Sequence, residues 1–160
     1  ASSGPLRGFK RSLTEGGIRV PAIARWPGVV KPGTTSEHVW ALWDVFTTLC
    51  DAAGAEAPKG LDGLSILPAL TGKGPQPGHD FLYWEFHEGG TKQAVRHGNW
   101  KAIRTAPGAP LELYDLAKDL GEKANVARDN PEVVAKVEAY LRGARTESRD
   151  WPIREPKQKK

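Results

Sequence analysis

The chain has 160 residues, 39% hydrophobic and 26% charged, with 6 tryptophans, a composition that builds a core and excludes an intrinsically disordered chain. No apolar run approaches the ~20 residues that cross a bilayer, and no basic region followed by an apolar stretch opens the chain, so neither a spanning helix nor a signal peptide is read. The formal charge of +4 gathers at the end, in Arg149, Arg154, Lys157, Lys159 and Lys160. No aromatic interleaving or nucleic-acid motif accompanies it, so the tail reads as solvated, with an acidic polymer as the alternative ligand.

The chain contains no methionine and opens in a Ser/Gly/Pro loop, the appearance of a piece excised from a longer polypeptide. Residues 1–17 read as a loop. Ala22 to Trp26 is apolar and β-branched enough for a strand starting after Pro21, which would break a central ladder. Turns follow at Trp26-Pro27-Gly28 and Lys31-Pro32-Gly33. Ser36 is then the expected cap of a helix ending at Gly54, with Val39, Leu42, Phe46, Leu49 and Ala53 on its core face. Cys50, the single cysteine, falls in this segment as a small buried hydrophobe and permits no disulfide.

After a turn at Leu61-Asp62-Gly63, a short helical segment is expected around Ser65 to Leu70. The stretch from Gly72 to Gly78 is the clearest linker. Beyond it lie four short strands: Phe81–Phe86, Gln93–Arg96, Trp100–Arg104 and Leu111–Tyr114. Glycine-containing turns separate them, with Gly98-Asn99 suited to a two-residue hairpin. Asn130-Pro131-Glu132 opens a last helix with Val133, Val134, Val137, Tyr140 and Leu141 on one face. The reading is α+β, a small antiparallel sheet packed on a C-terminal helix. Its divisions are 1–73, a loop, strand and helix that do not close a core of their own; 74–148, the sheet and helix; and 149–160, the tail.

Chemistry concentrates in two segments of this map. In Gly4-Pro5-Leu6-Arg7-Gly8-Phe9-Lys10, followed by Glu15-Gly16-Gly17-Ile18-Arg19-Val20-Pro21, glycine turns let backbone approach an oxyanion and basic residues supply charge. On local chemistry Lys10 is an anion ligand or a solvated loop lysine. His87 and Glu88 close the Trp84-Glu85-Phe86 strand; His87 either contacts a ligand or fixes a loop. The four histidines and nearby acids have no metal-ligand spacing, so no metal site is read in the chain.

The run from Gly4 to Pro21 with Arg25-Trp26-Pro27-Gly28 resembles the sulfatases of the alkaline-phosphatase superfamily. The resemblance continues in order through Leu42-Trp43-Asp44-Val45-Phe46-Thr47-Thr48-Leu49, Leu61-Asp62-Gly63, Tyr83-Trp84-Glu85 and Gly98-Asn99-Trp100-Lys101. It ends at Leu113-Tyr114-Asp115-Leu116 with Asp119, Glu122 and Asn125. It implies the C-terminal portion of an alkaline-phosphatase-like α/β sulfatase fold. It also implies that Lys10 is the lysine that reaches the sulfate oxygens, that Glu15 and Arg19 hold its loop, and that His87 and Glu88 approach the substrate.

The same resemblance implies a formylglycine nucleophile and a calcium ion in the intact enzyme. The nucleophile's C-x-P/A-S-R motif is not met at Cys50, which is followed by Asp51-Ala52-Ala53. This chain is therefore expected to be inactive alone, its partners being the missing N-terminal catalytic part and a sulfate ester. Self-association through uncovered apolar surface is also expected. Alternatives are a phosphonate or phosphodiester hydrolase fragment, or a non-catalytic module for anions or sulfated glycans. The family leans towards periplasmic, secreted or lysosomal enzymes.

Overall fold

The computed structural model describes residues 3–155. They form two compact units: the residues up to Val20 join those from Phe81 onward, and Pro21–Asp80 forms the other. This packing differs from the expected grouping of 1–73. The opening loop belongs to the sheet because its hydrophobic and charged side chains find their partners there.

In the sheet unit, β1 (Leu82–Phe86), β2 (Lys92–His97), β3 (Trp100–Arg104) and β4 (Glu112–Asp115) form an antiparallel meander in chain order. The four expected strands are all present. Gly98, at φ +57°, supplies the left-handed conformation that the two-residue hairpin between β2 and β3 requires. Strand alternation then builds two cores. One face carries Val95, Ala102 and Leu113, covered by Val137 and Leu141 of a helix at Pro131–Leu141. The opposite face carries Ala94, Ile103 and Tyr114, covered by Leu13 and Ile18 of the opening loop. The molecule is thus α+β, as expected, with its sheet buried on both sides.

The basic side chains Arg149 and Arg154 are exposed, as expected of a solvated tail, while the backbone of the segment is anchored. Thr91 and Arg154 exchange hydrogen bonds of 2.8 Å between the Thr91 N–H and the Arg154 carbonyl and between the Arg154 N–H and Thr91 Oγ1. Lys157, Lys159 and Lys160 lie outside the described residues.

In the other unit, the expected strand at Ala22–Trp26 does not form: Ile23 is 97% exposed, and no strand lies among described residues 21–80. Extended backbone becomes a strand only when a neighbour accepts its hydrogen bonds. The helix expected from Ser36 begins later, at Asp44–Ala52. Its supposed core face is turned outward, with Leu42 82% and Leu49 62% exposed. What is buried instead is polar: Asp44 Oδ2 accepts the Ala41 N–H, and Oδ1 accepts the Leu64 N–H and faces His79 Nε2, each at 2.8 Å. These bonds bring the Leu61-Asp62-Gly63 turn against the start of the helix. A side chain at Gly63 would put a Cβ 2.3 Å from the Trp43 carbonyl oxygen, so only glycine fits there. Cys50 lies part-buried in this helix.

Candidate functional site

The loop carrying Lys10 is shaped from below by its own backbone. Thr14 Oγ1 donates to the Arg7 carbonyl (2.7 Å), which also accepts the Gly16 N–H (2.8 Å), while the Ser12 N–H donates to the Phe9 carbonyl at 2.9 Å. Arg11 takes φ +77°, a left-handed conformation that costs a non-glycine residue about 1 kcal/mol or more. The Glu15-Gly16-Gly17 motif packs directly beneath. A Cβ on Gly16 would lie 2.3 Å from the Gly8 carbonyl oxygen, and one on Gly17 would lie 2.0 Å from that of Ser12. Both glycines are therefore required by close approach of backbone.

Glu15 fastens this assembly to the sheet. It opens a single helical turn at Glu15–Ile18, and its Oε1 accepts a 2.8 Å hydrogen bond from Lys101 Nζ of β3. Neither side chain meets solvent. Its Oε2 faces Arg96 (3.8 Å) and Arg19 (3.9 Å). Glu122 comes from the loop after β4: Oε2 accepts the Glu15 N–H at 2.8 Å, and Oε1 lies 3.8 Å from Lys101 Nζ. Burial lowers the Lys101 pKa from its ordinary value, and the two carboxylates offset only part of that. Burial likewise raises the Glu122 carboxyl, against the pull of the Glu15 N–H and Lys101.

Lys101 and Glu122 were legible beforehand only as letters in motifs. Their pairing with Glu15 links β3, the loop after β4 and the Lys10 loop. The other motif acids and amides do similar work: Asp119 Oδ2 accepts the N–H groups of Lys123 and Ala124, and Asn125 Oδ1 accepts those of Leu113 and Ala127.

Lys10 itself is exposed and lines a groove of about 410 Å³ together with Arg7, Arg11, Leu13, Lys92, Ile103 and Glu112. Glu88 reaches the same loop through an ion pair with Arg11, 3.2 Å. His87 is not among the residues lining this groove. Its Nε2 sits 3.0 Å from Glu85 Oε2 and its Nδ1 3.2 Å from Thr91 Oγ1, with the Trp151 ring 5.6 Å away. Both ring nitrogens have partners within the protein. Burial opposes ionisation of Glu85, but hydrogen bonds from Tyr83 and Arg145 outweigh it and hold this carboxyl below the usual range.

Among the described residues no three His, Cys, Asp or Glu side chains converge to hold a metal ion. No helix there is long and apolar enough to cross a membrane.

The chain is similar to known proteins along most of its length. The family model described as "N-sulphoglucosamine sulphohydrolase, C-terminal" matches residues 8–148. Mouse steryl-sulfatase is 32% identical over 94% of this chain and 30% of its own length. A solved structure from the glycosaminoglycan-metabolising locus of Bacteroides thetaiotaomicron superposes with a TM-score of 0.74 at 29% identity, covering 88% of this chain and 32% of that one. The phosphonate monoester hydrolase of Agrobacterium radiobacter is more distant, with TM-score 0.53, 28% identity, and 74% and 29% covered. The chain spans about 30% of the length of each of these proteins.

Proposed function

This chain belongs to the sulfatase family, and from that premise we propose that it completes the active site of a sulfuric ester hydrolase together with an N-terminal catalytic part. Lys10 is the residue it contributes to the chemistry. An ammonium against the sulfate offsets negative charge that builds on the oxygens as the S–O bond breaks. The observation that carries this reading is the asymmetry among the basic residues of the loop. Arg7 is tied to Tyr114 and Glu122, and Arg11 to Glu88, whereas Lys10 has no hydrogen-bond or ion-pair partner among the described residues. Yet the loop beneath it is fixed by hydrogen bonds and by two glycines that cannot be replaced. A rigid support under an uncommitted cation is preorganisation for an anion.

Glu88 sets Arg11 beside Lys10 and so belongs to the substrate side of the groove, while His87 steadies the turn that carries Glu88. The family resemblance supplies the rest. By that resemblance a formylglycine nucleophile and a calcium ion are supplied by the N-terminal catalytic part. The chain alone is accordingly inactive. The unit at Pro21–Asp80 is the tail end of the catalytic domain, and the outward apolar side chains of its Asp44–Ala52 helix cover, or are covered by, that domain. In its absence they favour self-association.

The test is direct: the purified 160-residue chain is assayed on an aryl sulfate beside a Lys10→Ala variant. The reading expects no turnover from either, and turnover by the chain above the variant overturns it. The resemblance to a phosphonate monoester hydrolase favours a second reading, an ester or phosphonate of phosphorus as substrate. A comparison of sulfate and phosphonate esters on the intact enzyme separates the two.

A further inference from the structure

Resting on the reading of Lys10 as the sulfate ligand, we infer that Lys92 reads a second negative charge on the same substrate, so that the natural substrate is a sulfate ester carrying a further sulfate or carboxylate. Four cations line the groove, namely Arg7, Lys10, Arg11 and Lys92. Two of them are spent inside the protein. The Arg7 guanidinium donates to Tyr114 Oη at 2.7 Å and to the Glu122 carbonyl at 3.2 Å and lies 3.8 Å from Glu112. Arg11 is neutralised by Glu88 at 3.2 Å. Lys10 and Lys92 have no carboxylate partner among the described residues.

A single sulfate beside Lys10 leaves the charge of Lys92 unanswered in the same cleft. Lys92 is also placed, where an ordinary surface lysine is loose. It opens β2 in register with Phe86 of β1, and its Nζ stands 6.0 Å from the centre of the Phe86 ring. The ring steadies the ammonium without neutralising it. An ammonium without a planar fork accepts an anion from many directions, which suits a sulfate or carboxylate on a neighbouring position or sugar unit. The groove's volume lies within the range of pockets that hold ligands larger than a lone sulfate.

The test is a titration of the 160-residue chain, followed by amide chemical shifts, with a disaccharide bearing two sulfates and the same disaccharide bearing one. The disulfated compound is expected to bind about tenfold more tightly, the scale of one partly screened charge pair. Lys92→Ala is expected to abolish that preference and Lys92→Arg to keep it, with spectral dispersion confirming that each variant is folded. Equal binding of the two compounds, or a preference that survives Lys92→Ala, overturns the inference. Lys10→Ala is expected to weaken both compounds. If it changes neither while Lys92→Ala abolishes the preference, the reading of Lys10 falls and the anion site at Lys92 stands.

Discussion

Lys101 Nζ lies 2.8 Å from Glu15 Oε1, and neither side chain is exposed. The pair joins a central strand to the helical turn that supports Lys10, so the loop's position is an electrostatic property of the core. Removing one member of a buried pair leaves the other charge uncompensated, at about 3–5 kcal/mol. Lys101→Met, which keeps most of the side chain's volume, is therefore expected to lower the unfolding free energy by about that amount in urea titration. A loss below ~1 kcal/mol, typical of an exposed pair, contradicts the role assigned to it.

The glycines beneath the loop give a sharper contrast. Gly17→Ala places a Cβ 2.0 Å from the Ser12 carbonyl oxygen, and backbone must move to admit it. A cost of about 2 kcal/mol is expected, together with shifted amide resonances at residues 8–13. Gly143→Ala, with nothing within 4 Å of the added atom, is the control and is expected to stay within about 0.5 kcal/mol.

Two carboxylates bias stability towards opposite ends of the acid range. The Glu122 pKa is raised above 4.5 in the fold, so the folded state binds its proton more tightly. That contribution is complete below about pH 4.5 and is lost as pH rises through the folded value. The Glu85 pKa is lowered. Its contribution is present above about pH 4.5 and is lost as pH falls through its folded value. Urea titrations from pH 3 to 7 on the wild type, Glu122→Gln and Glu85→Gln should show differences of opposite slope, one above the ordinary carboxylate value and one below it. Slopes of the same sign contradict the assignment.

The exposed row on the Asp44–Ala52 helix and the turn before it predicts self-association. The chain is expected to sediment as a concentration-dependent oligomer, and Leu42→Ser/Phe46→Ser/Leu49→Ser as a monomer of nearly unchanged stability, since these side chains already face solvent. A monomeric wild type at high concentration contradicts this.

The sheet was legible because its signals are local. Alternation places Val95 and Ala94 on opposite faces, and Gly98 marks the hairpin. The expected core face of the first long helix was misread because periodicity reports an apolar stripe without saying what covers it. Leu42, Phe46 and Leu49 form such a stripe, and the described chain provides nothing to lie on it. The strand at Ala22–Trp26 failed for the same reason, having no neighbour to pair with. Lys101 and Glu122 were missed as a pair because they meet Glu15 across 86 and 107 positions, and no spacing rule spans such a distance. Lys10 could be found only because its motif resembles a family's; its local chemistry fits a solvated loop equally well. The structure adds what the motif omits, that Gly16 and Gly17 permit contact between the two halves of the loop.

The most direct measurement is kcat/KM for an aryl sulfate with the intact enzyme and its Lys10→Ala variant, with thermal unfolding recorded alongside. Loss of one preorganised partner for the developing charge costs about 10²–10³-fold, and that fall with an unchanged unfolding temperature is the predicted result. A variant that turns over the ester within twofold of the wild type contradicts the account.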